Sequence, residues 1–387
     1  MARQIPGRFQ GIGKRWPYKA LNFLPPTQLW KYLGWKSGPA LPAAPFQLGK
    51  SLTGCKRILV ALPDGFQENL VAFSVVQSLV QERPDTEFLF LIEHHLTGFL
   101  AALLGSDRVA GIRWDELYWG EAHFQELQRI ASAFHPEIAL NFRAETPPLL
   151  HFVLRASGAP IRVQVAGDPP VAFANVALRP ADPPNHLRRF AQATRLWDVS
   201  ERPVPVKWTR LAAGPENLKE AHARICSKGL RPEATRLFLW QEETSSAQRE
   251  LFRKVAAERA VQGEAQSLLV VNGAGPFFPT PPPPQDVILG IPSLEIDSTG
   301  LLLGLFARTR RSIGTNGPLL HLASLADTDV EAHFSAADAV WDVSATNARM
   351  KVIYEEAAGS GRSEGSPGTV NKDIAGRRAS GVGREEK

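Results

Sequence analysis

The residues best placed to do chemistry lie in the stretch Arg308–Ala323. This pattern predicts the end of a buried strand, a glycine-rich turn and the first turn of a helix. A turn of that kind exposes backbone N–H groups at a helix N-terminus, where the helix dipole favours an anion such as a diphosphate. The alternative is a strand-to-helix turn that binds no ligand. The candidate ligand-binding residues are Gly314, Thr315, Asn316, Gly317 and His321, although a histidine at such a position is more often an interior residue.

The sequence lacks the motifs of several common functional classes. Two cysteines, Cys55 and Cys226, are too few for a disulfide framework or a cysteine-rich zinc site, and neither has the context of a nucleophile. No G-x-G-x-x-G follows the first apolar strand, and no G-x-x-x-x-G-K-[ST] occurs. We therefore expect neither a dinucleotide-dependent oxidoreductase nor a P-loop NTPase.

Alternating strands and helices predict a doubly wound sheet in the first half of the chain. Short apolar runs of strand length alternate with segments whose apolar residues recur at helical spacing. Such alternation is typical of a parallel sheet covered by helices. The predicted strands are 56–62, 88–92, 109–112, 138–142 and 161–165, and the predicted helices are 70–80, 99–104, 123–133 and 149–156.

The same alternation resumes after a proline-rich stretch at 168–185, a helix at 186–196 and a connecting region at 198–233. We therefore predict an α/β fold with two doubly wound Rossmann-like domains that face each other across a cleft. The ligand site should lie between the carboxyl ends of their strands. The predicted elements are strands 236–240, 268–272 and 330–334, apolar pieces 287–289, 293–297 and 312–313, helices 245–258 and 301–307, and an extended loop 276–284.

The charge distribution separates an N-terminal arm from the rest. The net charge is +5, yet residues 1–63 contain ten Lys and Arg and no Asp or Glu, so the remainder carries −5. The tail 357–387 has almost no large apolar side chain and should be disordered, because it cannot offset its ordering entropy. The predicted divisions are an arm 1–55, a domain 56–185, a connecting helix and linker 186–233, a domain 234–356 and the tail 357–387.

Six aromatic residues are interleaved with the cations of the arm: Trp16, Tyr18, Phe23, Trp30, Tyr32 and Trp35. The arm can pack its rings on its own domain, or residues 1–50 can bind an anionic membrane surface. Nucleic-acid binding is a third interpretation, but the acidic body leads us to expect no such partner. No apolar run reaches the roughly 18 to 20 residues that span a bilayer. We expect a cytoplasmic protein, peripheral at the inner membrane face if the arm binds lipid.

The order of these elements resembles glycosyltransferase family 9, the bacterial heptosyltransferases of the lipopolysaccharide inner core, which have the GT-B fold. Gly314–Ala323 aligns without a gap with the family's G-N-D-S-G-P-M-H-L-A, and an apolar helix precedes both. Phe66–Leu79 stands in the place of the family's first helix, Arg83–Asp85 matches its Y-P-D, and Arg155–Pro160 resembles its L-x-G-A-P. The resemblance covers roughly residues 56–345.

This resemblance implies a metal-independent transfer of a sugar from a nucleotide-diphosphate donor, similar to ADP-heptose, without a cofactor. The acceptor would be lipopolysaccharide or another cell-surface or lipid-linked glycan, bound on the side of the first domain, with the donor on the second. Glu68 stands where the family carries its catalytic aspartate, so the resemblance assigns it the role of general base. A carboxylate there can alternatively cap the start of a helix.

Several positions depart from the family pattern. Asn316 replaces an acid, and Gln67 replaces a glycine. After the strand 236–240 the family carries a small-residue turn and a cation, whereas this chain continues Gln241-Glu-Glu-Thr-Ser-Ser246. A carboxylate about 4 Å from a phosphate opposes it by several kcal/mol at an effective dielectric constant of about 20. Either the donor lies in a different position, or Arg249 or Arg253 reaches back from the following helix, or the site no longer binds a nucleotide sugar. The second hypothesis is a catalytically inactive binding or scaffold protein with the same fold.

Overall fold

Our computed structural model describes residues 48–113, 116–117, 121–143, 148–165, 174–178, 185–199, 204–241, 246–262, 267–273, 283, 288, 290–326 and 328–354. All of them fall within one compact unit of the chain. The strands are β1 Arg57–Ala61, β2 Glu87–Glu93, β3 Val109–Ile112, β4 Ile138–Asn141, β5 Ile161–Gln164, β6 Val176–Ala177, β7 Arg236–Trp240, β8 Leu268–Gly273, β9 Ser293–Ile296, β10 Arg311–Thr315, β11 Asp329–Phe334 and β12 Met350–Tyr354.

The α-helices lie between these strands along the chain. They are α1 Leu48–Thr53, α2 Phe66–Glu82, α3 Thr97–Leu104, α4 Ala122–Ala133, α5 Pro148–Ala156, α6 His186–Arg195, α7 Pro215–Ser227, α8 Ser246–Gln262, α9 Thr299–Arg308 and α10 Pro318–Leu325. Short 3-10 helices occupy His94–Leu96, Ser106–Arg108, Leu196–Val199, Pro232–Ala234 and Ala336–Trp341. None of the helices within the described ranges is long and apolar enough to cross a membrane.

The two sheets share one topology. The first has the order β3-β2-β1-β4-β5-β6 and the second β12-β11-β10-β7-β8-β9, and the paired strands are parallel. If the strands of each half are numbered from 1 to 6 along the chain, both sheets have the spatial order 3-2-1-4-5-6. The direction of winding reverses between β1 and β4 in the first half and between β7 and β10 in the second. A ligand crevice forms outside the carboxyl ends of the strands at such a switch point.

The central strands are buried on both faces, as parallel strands covered by helices should be. Ile58, Val60, Leu237 and Leu239 belong to one continuous apolar core that includes residues of both sheets. Smaller clusters cover the opposite face of each sheet. Helix α2 of the first half packs against α10 of the second, so the start of α2 lies beside the turn that precedes α10.

The predicted α/β fold with two doubly wound halves is confirmed, and most predicted elements agree with the observed ones within a few residues. Helix α7 was not predicted, because residues 198–233 were interpreted as a connecting region. Its start, Gly214–Pro215, carries proline at the first helical position, a common start signal, and Ala221 and Ile225 are buried. Strands β6 and β12 were also missed. Both are sheet-edge strands, and β6 has only two residues.

The predicted domain boundaries remain predictions, with one refinement at the arm. Helix α1 falls inside the predicted arm 1–55, yet Leu52 is fully buried in the core. Residues 1–47, which carry the aromatic and basic pattern, lie outside the described residues, as does the predicted tail 357–387. Of the extended loop predicted at 276–284, only residue 283 is described.

Candidate functional site

The start of α2 lies at the switch point of the first half. Gly65 precedes the helix with φ 73° and ψ 158°, a backbone conformation that glycine adopts without strain. A Cβ atom at Gly65 would lie 2.7 Å from Oε2 of Glu68, so the carboxylate lies directly over this glycine. The buried Asn69 side chain donates to the carbonyl oxygen of Pro63 at 2.9 Å and fixes the loop. Sequence and local geometry together position Glu68 in the third residue of the helix.

Glu68 is a half-buried carboxyl group with a perturbed pKa. Burial raises its pKa above the usual value, and the nearby charge of Glu93 raises it further. A hydrogen bond from its own backbone N–H and the charge of Arg189 act in the opposite direction. A carboxylate with a raised pKa is a better proton acceptor near neutral pH than an exposed one. Glu68 therefore has the raised pKa that a general base needs, and its carboxylate also accepts a hydrogen bond from its own backbone N–H at the start of the helix.

A buried cation lies beside this loop. Arg143 follows β4, is 3% exposed and forms an ion pair with Asp64 of the loop after β1. The side chains of Asn141 and Gln164, at the carboxyl ends of β4 and β5, hydrogen-bond each other at 2.7 Å. Gln164 Nε2 also donates to the Arg143 carbonyl oxygen at 2.8 Å. This network fixes the backbone of Arg143 against the carboxyl edge of the sheet.

In the second half, the glycine-rich stretch forms a strand end, a turn and a helix start as predicted. Gly314 lies within β10 and is buried, and a Cβ atom there would lie 3.2 Å from Cβ of Leu239 on the neighbouring strand β7. Thr315 ends the strand. Gly317 has φ 155° and immediately precedes α10. The predicted turn is thus present at the switch point of this half.

The start of α10 is capped by a side chain from β7's carboxyl end. Gln241 Oε1 accepts a hydrogen bond from Leu319 N at 3.3 Å, and Gln241 Nε2 donates to the Thr315 carbonyl oxygen at 3.1 Å. A Cβ atom at position 317 would overlap the Gln241 carboxamide. One of the backbone N–H groups expected to face a diphosphate is therefore satisfied within the chain.

Asn316 connects the two halves. Its Oδ1 accepts from Gln67 Nε2 of α2 at 2.7 Å and lies 3.1 Å from His321 Nε2. Its Nδ2 donates to Asp338 Oδ1 at 2.9 Å. The two positions that depart most clearly from the family pattern, Gln67 and Asn316, are thus hydrogen-bonded to each other across the cleft.

His321 is an interior histidine. It is 1% exposed, and burial lowers its pKa to about 3, so the ring is neutral at physiological pH. Its Nδ1 is buried with no hydrogen-bond partner among the described residues. Trp341 lies beside it with ring centroids 5.7 Å apart and stacks on His186 of α6 at 3.8 Å. A direct contact between the His321 side chain and a donor stays a prediction and would require these neighbours to move.

The two predicted helix arginines lie outside this arrangement. Arg249 and Arg253 are exposed on α8, and Arg253 Nη1 lies 3.7 Å from Glu250 Oε2. The carboxylates Glu242 and Glu243 that precede this helix are outside the described residues. The donor-binding role of Arg249 therefore remains a prediction, as do the roles of Glu68, Gly314, Thr315, Asn316 and Gly317.

Sequence inspection missed the side chains that link the two switch points. Gln241 directly follows β7, which pairs with β10. Its position at the carboxyl end of a strand could have indicated that it lies near the ligand site. His186 and Arg189 are three residues apart on one face of α6 and were not considered.

Among the residues that the structure describes, no group of three or more His, Cys, Asp or Glu side chains is arranged to hold a metal ion. Metal independence stays a prediction.

Comparison with solved structures identifies the architecture. No protein-family model and no curated protein matches the sequence. The glycosyl transferase family 9 structure from Veillonella parvula matches with a TM-score of 0.61 at 13% identity, over 80% of this chain and 88% of that one. The E. coli heptosyltransferase WaaC with ADP matches at TM-score 0.52 and 14% identity, over 78% and 91% of the two chains.

A third structure, E. coli ADP-heptose lps heptosyltransferase II, matches with a TM-score of 0.53 at 13% identity, over 77% of this chain and 90% of that one. At these identities the likeness concerns the fold. It agrees with the two parallel six-stranded sheets and their helices. The expected resemblance is confirmed at that level: this chain has the GT-B fold of the family 9 glycosyltransferases and heptosyltransferases.

Proposed function

We propose that this chain is a glycosyltransferase that moves a sugar from a nucleoside-diphosphate donor to a hydroxyl group of an acceptor. The observation that carries the proposal is the 2.7 Å hydrogen bond between Gln67, the residue before Glu68, and Asn316 of the glycine-rich turn. A candidate base and a candidate donor-binding turn therefore face one cleft, which sugar transfer requires.

In the proposed reaction, Glu68 accepts the proton of the acceptor hydroxyl as the hydroxyl oxygen bonds to the anomeric carbon. The bond between that carbon and the diphosphate oxygen breaks, and the nucleoside diphosphate leaves with the electron pair. The raised pKa of Glu68 favours this proton transfer near neutral pH. The backbone around Thr315 and Gly317 and the start of α10 would lie against the leaving diphosphate, which is the position where a helix dipole stabilises an anion.

The substrates we propose follow the fold neighbours. The E. coli WaaC structures hold ADP in one case and ADP-2-deoxy-2-fluoro heptose in another, and heptosyltransferase II is named for ADP-heptose and lps. We propose a donor similar to ADP-heptose and an acceptor on lipopolysaccharide or another cell-surface or lipid-linked glycan, without a metal cofactor. Residues 1–50 would hold the protein at the inner face of the cytoplasmic membrane through their cations.

The role of Glu68 is tested by Glu68→Gln, with Glu82→Gln as the matched control. Glu82 ends the same helix and pairs with Lys207 at 2.9 Å on the surface. Because general-base catalysis contributes about 10²- to 10⁴-fold, Glu68→Gln should lower kcat by that factor while donor affinity is not weakened. The control should keep its kcat. Full turnover by Glu68→Gln would remove Glu68 from the role of base.

A catalytically inactive protein with the same fold is the second candidate function. One observation favours it: the Gln241 carboxamide occupies the start of α10, where the donor diphosphate would lie. In that case no nucleotide sugar should be turned over, and Gln67→Gly, which opens the cleft, should not create activity. Transfer by the wild-type protein from any nucleotide sugar would eliminate this candidate.

A further inference from the structure

Where a diphosphate would need a cation, the described part of the donor-side switch point offers neutral groups and the carboxylate of Asp338, which accepts from Asn316 Nδ2 at 2.9 Å. Gln241 and Asn316 carry amides, and His321 is held neutral by burial. Arg249 is exposed on α8. A leaving diphosphate gains negative charge as the sugar is transferred, so a positive group near the cleft would lower the barrier.

Arg189 of α6 is placed to supply that charge. His186, one turn earlier on the same helix, stacks on Trp341 of the second half at 3.8 Å, so this face of α6 is directed to the cleft between the halves. The helix packs against α2, which carries Glu68. Arg189 is one turn after His186 on this helix and is close enough to Glu68 for the two charges to interact.

The guanidinium of Arg189 is half-buried and incompletely satisfied. Its Cζ lies 4.6 Å from the centroid of the Phe190 ring, and its Nε is buried with no hydrogen-bond partner among the described residues. Burial lowers the pKa of Arg189 and the charge of Glu68 raises it, but an arginine remains protonated in proteins. A buried N–H donor on a cation that lacks an acceptor is costly, so negative charge close to this guanidinium is favourable.

We propose that Arg189 binds the phosphate oxygens of the leaving diphosphate in the cleft, an inference that rests on the proposed glycosyl transfer. Before reaction the nearby charge of Glu68 acts on the guanidinium. When Glu68 accepts the proton of the acceptor hydroxyl, its negative charge disappears. At the same step the bond between the anomeric carbon and the diphosphate oxygen breaks, and the negative charge grows on the diphosphate. Arg189 thus exchanges one anionic partner for another without moving between the halves.

The charged groups around this exchange come from both halves, and the second half contributes Asp338, which accepts a hydrogen bond from Asn316. From α2 and β2 come Glu68 and Glu93, and His186 on α6 is neutral because burial and Arg189 lower its pKa to about 4. Arg143, after β4, is paired with Asp64. An anion that enters the cleft therefore competes with Glu68 for the guanidinium, which predicts energetic coupling between the two side chains.

Calorimetric titration of the full chain with pyrophosphate at one fixed pH tests the proposal. Arg189→Gln should weaken binding about 10- to 100-fold, because hydrogen bonds to charged groups contribute about 1.5–3 kcal/mol. Arg188→Gln is the matched control, since Arg188 is the exposed neighbour on the same helix. Thermal unfolding of both variants checks that they are folded.

A second comparison separates anion binding from a structural role. Glu68→Gln should tighten pyrophosphate binding when Arg189 is present and should have no effect in the double variant with Arg189→Gln. Equal pyrophosphate affinity of wild type and Arg189→Gln, or no binding by the wild type, would overturn the proposal. ADP should compete with pyrophosphate; simultaneous binding of both would overturn the assignment to the donor's diphosphate. If Arg189 binds pyrophosphate but no nucleotide sugar is turned over, the anion site stands and the proposed glycosyl transfer fails.

Discussion

In the first half, the switch point between β1 and β4 carries charged side chains, Glu68, Asp64 and Arg143. In the second half, the switch point between β7 and β10 carries the amides of Gln241 and Asn316, a neutral histidine and, against Asn316, the carboxylate of Asp338. Both halves have the same strand order, so the topology determines where a cleft forms. The residues that follow each strand determine what the cleft can do.

This difference divides the proposed chemistry between the halves. Proton transfer would depend on the first half, where a carboxylate is kept partly from water. The second half would supply neutral hydrogen bonds and a helix start. The cation that an anionic donor needs would come from α6, the helix that follows the first half along the chain, through Arg189.

The largest expected effect comes from Gly317→Ala, which tests how tightly the second switch point is packed. The φ of 155° is strained for alanine, and its Cβ would overlap the Gln241 carboxamide. We expect a loss of about 2–5 kcal/mol in the free energy of unfolding, measured in urea. Gly158→Ala in the first half is the control: its φ is 76° with open space around it, so about 1 kcal/mol is expected. Equal losses at both positions would contradict the close packing.

The pKa values of two carboxyl groups, one in each half, are shifted in opposite directions, so the stability of the protein should depend on pH in opposite ways through them. Hydrogen bonds from His333 at 3.1 Å and Arg311 at 2.8 Å lower the pKa of Glu331 on β11 from 4.5 to about 2. Its stabilisation is therefore present above pH 4.5 and is lost as the pH falls towards 2, with an upper limit of about 3 kcal/mol. Glu331→Gln should be less stable than wild type at pH 7. The difference in their free energies of unfolding should become smaller at low pH.

Glu68 provides the opposite case. Its pKa is raised in the folded state, so the protonated form is favoured there and stability is lost as the pH rises through that pKa. Glu68→Gln should be at least as stable as wild type at pH 7. Urea unfolding of both variants between about pH 3 and 7 measures the contrast, and parallel pH profiles would refute it.

Asn316→Asp places a second carboxylate at the switch point of the second half. The new carboxylate would face Asp338 where the Asn316 amide now donates at 2.9 Å. Because like charges in contact repel and a hydrogen bond is lost, we expect a loss of about 1–3 kcal/mol in unfolding free energy at pH 7. The double variant with Asp338→Asn should recover most of that loss. Equal stability of Asn316→Asp and wild type would show that the amide is not required.

The smallest expected effect is that of Gln67→Ala. It removes one hydrogen bond between the halves, and such a bond contributes about 0.5–1.5 kcal/mol net. Gln81→Ala, at an exposed position of the same helix, should be nearly neutral. If the two variants unfold at the same urea concentration, the Gln67–Asn316 contact does not stabilise the protein.

The fold could be predicted from the sequence because local patterns determine it. Arg236–Trp240 and Val109–Ile112 are apolar runs bounded by polar residues, and both agree with the observed strands. The turn before His321 was predicted for the same reason. Helix α7 was missed because only a few of its residues are buried, which makes its apolar pattern weak.

The contacts across the cleft could not be predicted in this way. Gln67 and Asn316 are 249 positions apart, and their hydrogen bond depends on the packing of α2 against α10. The capping of α10 by Gln241 likewise depends on the pairing of β7 with β10. Sequence patterns report local structure, whereas these side chains meet only once the two sheets are assembled.

The central claim is that the cleft between the two switch points binds a nucleotide-sugar donor. Thermal unfolding of the full chain in the presence of ADP-, UDP- and GDP-sugars tests it most directly. A true donor present at about 100 times its Kd should stabilise the protein by about 2.7 kcal/mol, seen as a saturable rise in Tm. No rise in Tm with any of the three donor classes would contradict the claim.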